Sequence, residues 1–171
     1  MVQLITVPSC AECNALLQRD ESRLRQDLMT LLGPPDTGDP HAEIYERFER
    51  GLQNWPADDD AILSRLLPHH DKVEFLIPEA RTNRVLTMIA RGLHYRCVRE
   101  IVSKEADADA KLLPPDQALG VLKEPTCSGR LGKTFSFKAV VESDGYSGIW
   151  WMLFWERVTA VVTVVSPDAK T

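Results

Sequence analysis

The sequence has 171 residues, a length typical of one globular domain, and a chain of this size buries about two-thirds of its unfolded surface. Hydrophobic residues make up 44% and charged residues 26% of the chain, which excludes global disorder, and four cysteines are too few for a disulfide-dense scaffold. The net charge of −5 excludes a generally basic nucleic-acid coat, so any contact with nucleic acid must be local.

The first half of the chain carries helical patterns. A first helix is predicted from about Asp20 to Gly33, with a leucine stripe as its buried face: Leu24, Leu28, Leu31 and Leu32. A second helix is predicted after Asp39, the expected N-cap, and it ends at Trp55-Pro56. A third, short helix is predicted over residues 58–67, and a short strand over residues 73–77.

The strongest helical pattern covers residues 81–95, where Val85, Leu86, Ile89 and Leu93 share one face. Residues 104–116 are polar and acidic, and we expect a surface loop. Alternation then begins at Phe135, followed by strand patterns over residues 149–155 and 158–165 that are joined by a tight turn near Glu156-Arg157. Helices followed by strands predict an α+β fold, with a helical N-terminal half packed on a small antiparallel C-terminal β-sheet.

Cys10 and Cys13 form a single CxxC pair, whose two thiolates can bind one metal ion. Zinc prefers four ligands, and the sequence leaves the other two open: Cys127, His69 or His70, or a second subunit. The alternatives are two reduced thiols at a helix start and a thioredoxin-like redox motif, which the lack of a parallel-sheet pattern disfavours. Cys97 and Cys127 are isolated in sequence, and each is expected to be a small buried apolar side chain.

The segment LITVPSCAECN, residues 4–14, and the Arg19-Asp20-Glu21 that follows it resemble the second half of the zinc-stabilised HNH endonuclease motif. In that motif a strand ending in Val-Pro leads into a CxxC-Asn knuckle that opens a helix. VLTMIARGLHY at residues 85–95 and WWMLFW at residues 150–155 resemble the C-terminal extension of a group of bacterial HNH-like proteins. The resemblance implies a partial zinc knuckle and helix over residues 1–33, and an α+β extension over residues 34–171 that forms one continuous domain with it.

The resemblance implies metal-dependent cleavage of a phosphodiester, with a histidine as the general base. Cys10 and Cys13 would bind structural zinc, and a divalent ion such as Mg²⁺ is implied only where the catalytic half exists. In the family, a first CxxC and the catalytic histidine precede the knuckle, whereas all four histidines of this sequence follow it. Either the natural start lies further upstream or the chain is a shortened relative, and we expect no nuclease activity from the chain as it stands.

Four residues are candidates for DNA contact: Asn14, Arg19, Arg84 and Arg91. The alternative for the arginines is a solvated helix face. The aromatic cluster at residues 150–155 is able to stack bases, but aromatic residues in a strand more often form sheet core or an interface. The competing hypothesis is therefore a non-catalytic binding or dimerisation module, with a homodimer formed through this strand.

The sequence carries no apolar run of the roughly 18 residues that a membrane helix needs, and residues 149–165 are interrupted by Glu156 and Arg157. The N-terminus shows no signal-peptide pattern. We therefore expect a cytoplasmic protein without a membrane partner.

Overall fold

The computed structural model describes residues 11–52, 66–69, 72–75, 77, 79–103, 105–113, 124–143 and 145–167, with the backbone alone at 12–14, 16, 52, 66–69 and 72–75. Within these ranges the helices are α1 (Ala11–Leu32), α2 (Ala42–Leu52) and α3 (Glu79–Val98). The strands are β1 (Leu66–His69), β2 (Lys72–Phe75), β3 (Asp107–Leu113), β4 (Cys127–Leu131), β5 (Phe135–Val141), β6 (Gly148–Phe154) and β7 (Val158–Val165).

Five strands form one antiparallel sheet in the order β3-β7-β6-β5-β4, and β1 and β2 form a separate two-stranded hairpin. Helix α3 packs against β3 and β7, and α1 packs against α3. The fold class is α+β, as the sequence predicts. Of the described helices, none combines the length and the apolar character required to cross a bilayer.

The core lies between the sheet and α3. Trp150 in the central strand β6 is fully buried, and its neighbours across the ladder are Ala139 and Val162. Leu86 of α3 is also fully buried. Other members of the cluster come from the sheet and from the two packed helices: Met152, Ala160, Val164, Phe137, Val85, Ala90, Leu24, Leu28 and Met29. The predicted apolar faces of the sequence therefore meet in one core.

Helix α1 begins at Ala11 and not near Asp20, so the predicted start is wrong by nine residues. Leu24 and Leu28 are buried as expected, but Leu31 is 50% exposed. The helix ends where predicted, because Gly33 takes the left-handed conformation (φ 67°) and its N–H donates to the carbonyl of Met29 at 3.1 Å.

Helix α2 does not use Asp39 as its N-cap. The first helical bond runs from the N–H of Tyr45 to the carbonyl of His41 at 2.9 Å, so the helix starts after His41. The Asp39 carboxylate instead accepts the N–H of Asp36 at 2.9 Å and pairs with Arg157 at 2.8 Å. Asp39 thus ties the loop between α1 and α2 to the far end of the sheet.

Two of the sheet's five strands differ from the sequence prediction. The expected loop over residues 104–116 contains β3, in which Ala108 and Ala110 are more buried than Asp107, Asp109 and Lys111. Strand β4 was not predicted at all. Residues 58–65 of the expected third helix lie outside the described residues. Residues 66 and 67, the last two of that expected helix, belong to strand β1.

Cys97 and Cys127 are joined in a disulfide, with their Cα atoms 6.0 Å apart, so the expectation of two separate buried thiols is wrong. The bond links the last turn of α3 to the first residue of the edge strand β4. The two cysteines are separated by 30 positions in the sequence, so local sequence patterns do not predict this pairing.

Strands β6 and β7 are joined by the predicted tight turn. Trp155 and Glu156 both have positive φ (50° and 58°), and the N–H of Arg157 donates to the carbonyl of Phe154 at 3.0 Å, as in a type I′ turn. Two non-glycine residues in this conformation are strained. A bond from the N–H of Trp155 to the carbonyl of Thr134 (2.8 Å) and the Arg130–Glu156 ion pair (2.5 Å) hold the turn in place.

Candidate functional site

The CxxC pair lies at the start of α1. The helix begins at Ala11, so Cys10 immediately precedes it and Cys13 is its third residue. The first four N–H groups of a helix have no partner within the helix, and their partial positive charge favours thiolates. The two cysteines therefore occupy a position suited to metal binding, although the side chains of both lie outside what the structure describes.

Asn14 and Arg19 follow on α1. Asn14 belongs to the first turn, where only the backbone is described, and the side chain of Arg19 is exposed. Because α1 continues without interruption from Ala11 to Leu32, Cys13 belongs to the same helix as the buried residues further along α1.

That packing includes two ion pairs with α3. Arg84 lies 3.2 Å from the carboxylate of Asp20, and Arg81 lies 3.2 Å from that of Asp27. The side chain of Asp27 is only 1% exposed. A buried carboxylate is costly unless it is paired and hydrogen-bonded, so this contact specifies how the two helices meet.

The two candidate arginines of α3 both have partners within the chain. Arg84 is paired with Asp20, and an Nη of Arg91 donates to the carbonyl of Ala106 at 3.4 Å. Arg84 keeps 47% of its side chain exposed, and its partner Asp20 follows Arg19 in the chain. The structure therefore brings Arg84 close to α1 and assigns Arg91 a bond to the segment before β3, while a role for either in DNA contact stays a prediction.

Within the described ranges no group of three or more His, Cys, Asp or Glu residues is positioned to hold a metal ion. Cys127, one of the proposed completing ligands, is bonded to Cys97 and is not a free thiolate. His69 is the last residue of β1, where only the backbone is described. A histidine outside the described residues and a second subunit remain as sources for the missing ligands.

A groove of about 460 Å³ separates α1 from α2. Its lining combines apolar side chains with polar and charged ones and one glycine: Met29, Ile44, Phe48, Ser22, Arg25, Gln26, Arg47 and Gly51. The Oε1 atom of Gln26 is buried, and it has no hydrogen-bond partner among the described residues. Sequence reasoning missed this groove, because it depends on how two helices approach each other and not on either pattern alone.

Buried polar groups lie around the loop between α1 and α2. His41 is fully buried, and its Nε2 is 3.3 Å from the carbonyl of Gly33. Tyr45 packs edge-on against the His41 ring, with ring centroids 6.2 Å apart. Burial, and then the negative charge of Glu49, raise the pKa of Tyr45 above its usual value of 10.0.

Comparison of the chain with protein-family models, with curated proteins and with solved structures found no match. Functional assignment therefore depends on the residues and geometry described above.

Proposed function

We propose that this chain is an HNH endonuclease-like, DNA-related protein in which Cys10 and Cys13 supply half of a structural zinc site. The supporting observation is that α1 begins at Ala11, so the CxxC pair spans the start of a helix. That arrangement is the one the motif resemblance implies. All four histidines of the sequence follow the knuckle, and the proposal assigns no cleavage activity to this chain.

The packing of α1 supports this proposal. Asp20 and Asp27 pair with α3, and Leu24 and Leu28 enter the core, so the helix that begins with the cysteines is anchored to the sheet domain. A knuckle on a fixed helix is pre-organised for metal and for a polynucleotide backbone. Arg19 is the exposed cation nearest to the knuckle among the four candidate DNA contacts.

Zinc stoichiometry tests the metal half of the proposal. Purified wild-type protein is expected to contain zinc by mass spectrometry of the metal, and the Cys10→Ser and Cys13→Ser variants are expected to lose it. About one ion per chain would indicate further ligands from the same chain, and about one ion per two chains would indicate a four-thiolate site shared by a dimer. The Cys97→Ser/Cys127→Ser double variant is the matched control and should keep its zinc. Zinc-free wild-type protein, or zinc that survives loss of both Cys10 and Cys13, contradicts the proposal.

DNA binding tests the other half. Fluorescence anisotropy on a short duplex should show salt-dependent binding that weakens several-fold in Arg19→Gln, with the salt slope falling by about one for each lost phosphate contact. Lys133→Gln is the control, because this exposed lysine lies in the β4–β5 turn and gives the same charge change. Plasmid nicking with Mg²⁺ or Mn²⁺ should be absent. Equal binding by both variants, or nicking by the wild type, contradicts the proposal.

A second candidate function is a non-catalytic dimerisation module. Strand β6 carries Ile149, which is 38% exposed, and the half-buried Trp151 on the sheet face opposite to Trp150. A second copy of the chain would cover this apolar face. Light scattering should report a dimer that Ile149→Lys weakens, whereas the control Met88→Lys, at an exposed apolar position of α3, should not.

The proposal also assigns the protein to the cytoplasm. Disulfides are rare in that compartment, and those that occur there usually have a redox role. The Cys97–Cys127 bond therefore requires a functional explanation.

A further inference from the structure

The disulfide joins two elements that otherwise pack against different parts of the sheet. Strand β4 is an edge strand that pairs with β5 alone, and α3 packs on the opposite edge, against β3 and β7. The Cys97–Cys127 bond is the covalent link between the C-terminal turn of α3 and β4. Both cysteines are half-buried and pack against the margin of the core.

We propose that Cys97 and Cys127 form a reversible thiol–disulfide exchange site that fastens β4 to α3. The reductant is a dithiol. One of its thiolates attacks a sulfur of the bond, the S–S bond breaks, and the other cysteine leaves as a thiolate and takes up a proton. The second thiol of the reductant then displaces the remaining cysteine, so two electrons and two protons pass to the protein and the reductant becomes a disulfide.

The structure provides for β4 to stay folded when the bond is open. Thr126 sits just before the strand, its N–H donates to the carbonyl of Ala139 at 2.8 Å, and its hydroxyl accepts the N–H of Val141 at 2.9 Å. The backbone ladder with β5 continues from Cys127 to Leu131. Reduction therefore frees β4 from the helix without removing the strand from the sheet.

The end of α3 also has its own anchors. The N–H of Arg99 donates to the carbonyl of Tyr95 at 2.9 Å, and Val102 is buried in the core. The expected effect of reduction is a local loosening at β4 and around residues 97–103, with the central strands β6 and β7 unchanged. Local openings of this kind are less costly than global unfolding and are visible by hydrogen exchange.

The test combines a redox titration with hydrogen exchange on the full chain. The bond is titrated in a glutathione redox buffer and, separately, with a reduced dithiol protein, and free thiols are counted by alkylation and mass spectrometry. These two arms distinguish a small thiol from a protein dithiol as the reductant. Reduction in the dithiol arm and reformation on oxidation support the proposal.

Hydrogen exchange then identifies what the bond controls. In the reduced wild type and in Cys97→Ser/Cys127→Ser, exchange at residues 126–131 and 97–103 should speed up by about tenfold or more, with β6 and β7 unaffected. Reduced wild type keeps the test valid should the double variant fold poorly. A bond that resists both reductants, reduction only with loss of the whole fold, or reduction without faster exchange at β4 overturns the proposal.

Discussion

At the scale of single residues, one of the contacts that position α1 is an ion pair with a buried carboxylate. Asp27 is almost fully enclosed and is paired with Arg81 of α3. The sequence alone does not predict the Arg81–Asp27 pair, because periodicity predicts which residues face the core but not which charged residues pair with each other. The sequence patterns also do not predict that His41 and His94 are fully buried. In the structure, the His94 ring lies 5.5 Å from the ring of Trp150.

Arg81→Met is expected to lower the free energy of unfolding by about 3 kcal/mol, because removing one partner leaves a buried carboxylate without its guanidinium. Chemical denaturation measures this loss. Arg47→Met is the matched control, since Arg47 pairs with Glu43 on the exposed surface of α2 and such pairs contribute about 0.5 kcal/mol. Equal losses in the two variants would contradict the importance assigned to the buried pair.

The raised pKa of Tyr45 predicts that the stability of the protein depends on pH in the alkaline range. The pKa of its phenol is raised in the folded state by burial and by Glu49, so the folded protein keeps this proton at a pH where the unfolded chain, with a pKa near 10.0, loses it. The contribution to stability is therefore complete below pH 10 and is lost as pH rises from there through the folded pKa. Unfolding curves from neutral pH to about pH 11 should show a steeper alkaline decline for wild type than for Tyr45→Phe. Parallel declines would count against this role of Tyr45.

At the scale of elements, the long helices and the β5–β6–β7 meander could be predicted because their apolar residues follow a clear period. Strand β3 could not, since Asp107, Asp109 and Lys111 alternate with small alanines and together resemble a polar loop. Its partner β7 supplies the apolar surface, and that pairing lies far along the chain. The sequence patterns predict too late a start for α1, because the first nine residues of this helix carry no leucine stripe.

Gly148, the first residue of strand β6, occupies a position where glycine is required. A Cβ at Gly148 would lie 2.6 Å from the carbonyl oxygen of Val140 and 2.9 Å from the Trp150 ring. Gly148→Ala should therefore destabilise the protein by about 1–3 kcal/mol through overpacking. A Cβ at Gly51 in α2 would meet no atom of the described residues within 4 Å, so Gly51→Ala should leave stability unchanged or slightly higher. Thermal unfolding of both variants measures the difference, and an unaffected Gly148→Ala protein would contradict the close approach.

At the scale of the whole molecule, the buried core residues of α1 come later in the chain than the candidate metal site. The core is built from the sheet, α3 and the later part of α1, while the CxxC pair stands at the first turn of that helix. The general architecture could be read from the order of patterned segments, but the disulfide and the sheet order depend on contacts distant in sequence. The α+β class was therefore predictable, and the pairing of Cys97 with Cys127 was not.

Metal removal should consequently leave the fold intact. Treatment with a chelator is expected to shift the melting temperature by less than about 3 °C, corresponding to a change below about 1 kcal/mol. Circular dichroism during thermal unfolding, with zinc content measured on the same samples, provides the comparison. Collapse of the sheet on chelation would show that the knuckle contributes to the core and would contradict this prediction.

The sheet order has a consequence for synthesis on the ribosome. Strand β3 precedes β4, β5 and β6 in the chain, yet its ladder partner is β7, the last strand. During translation, β4, β5 and β6 are able to pair with one another as soon as they have emerged from the ribosome. Strand β3 cannot pair with β7 until residues 158–165 have left the exit tunnel. In a nascent chain halted before that point, the side of Trp150 that pairs with Val162 stays uncovered. The pairing of β7 with β6 and β3 is therefore the step that completes the native topology.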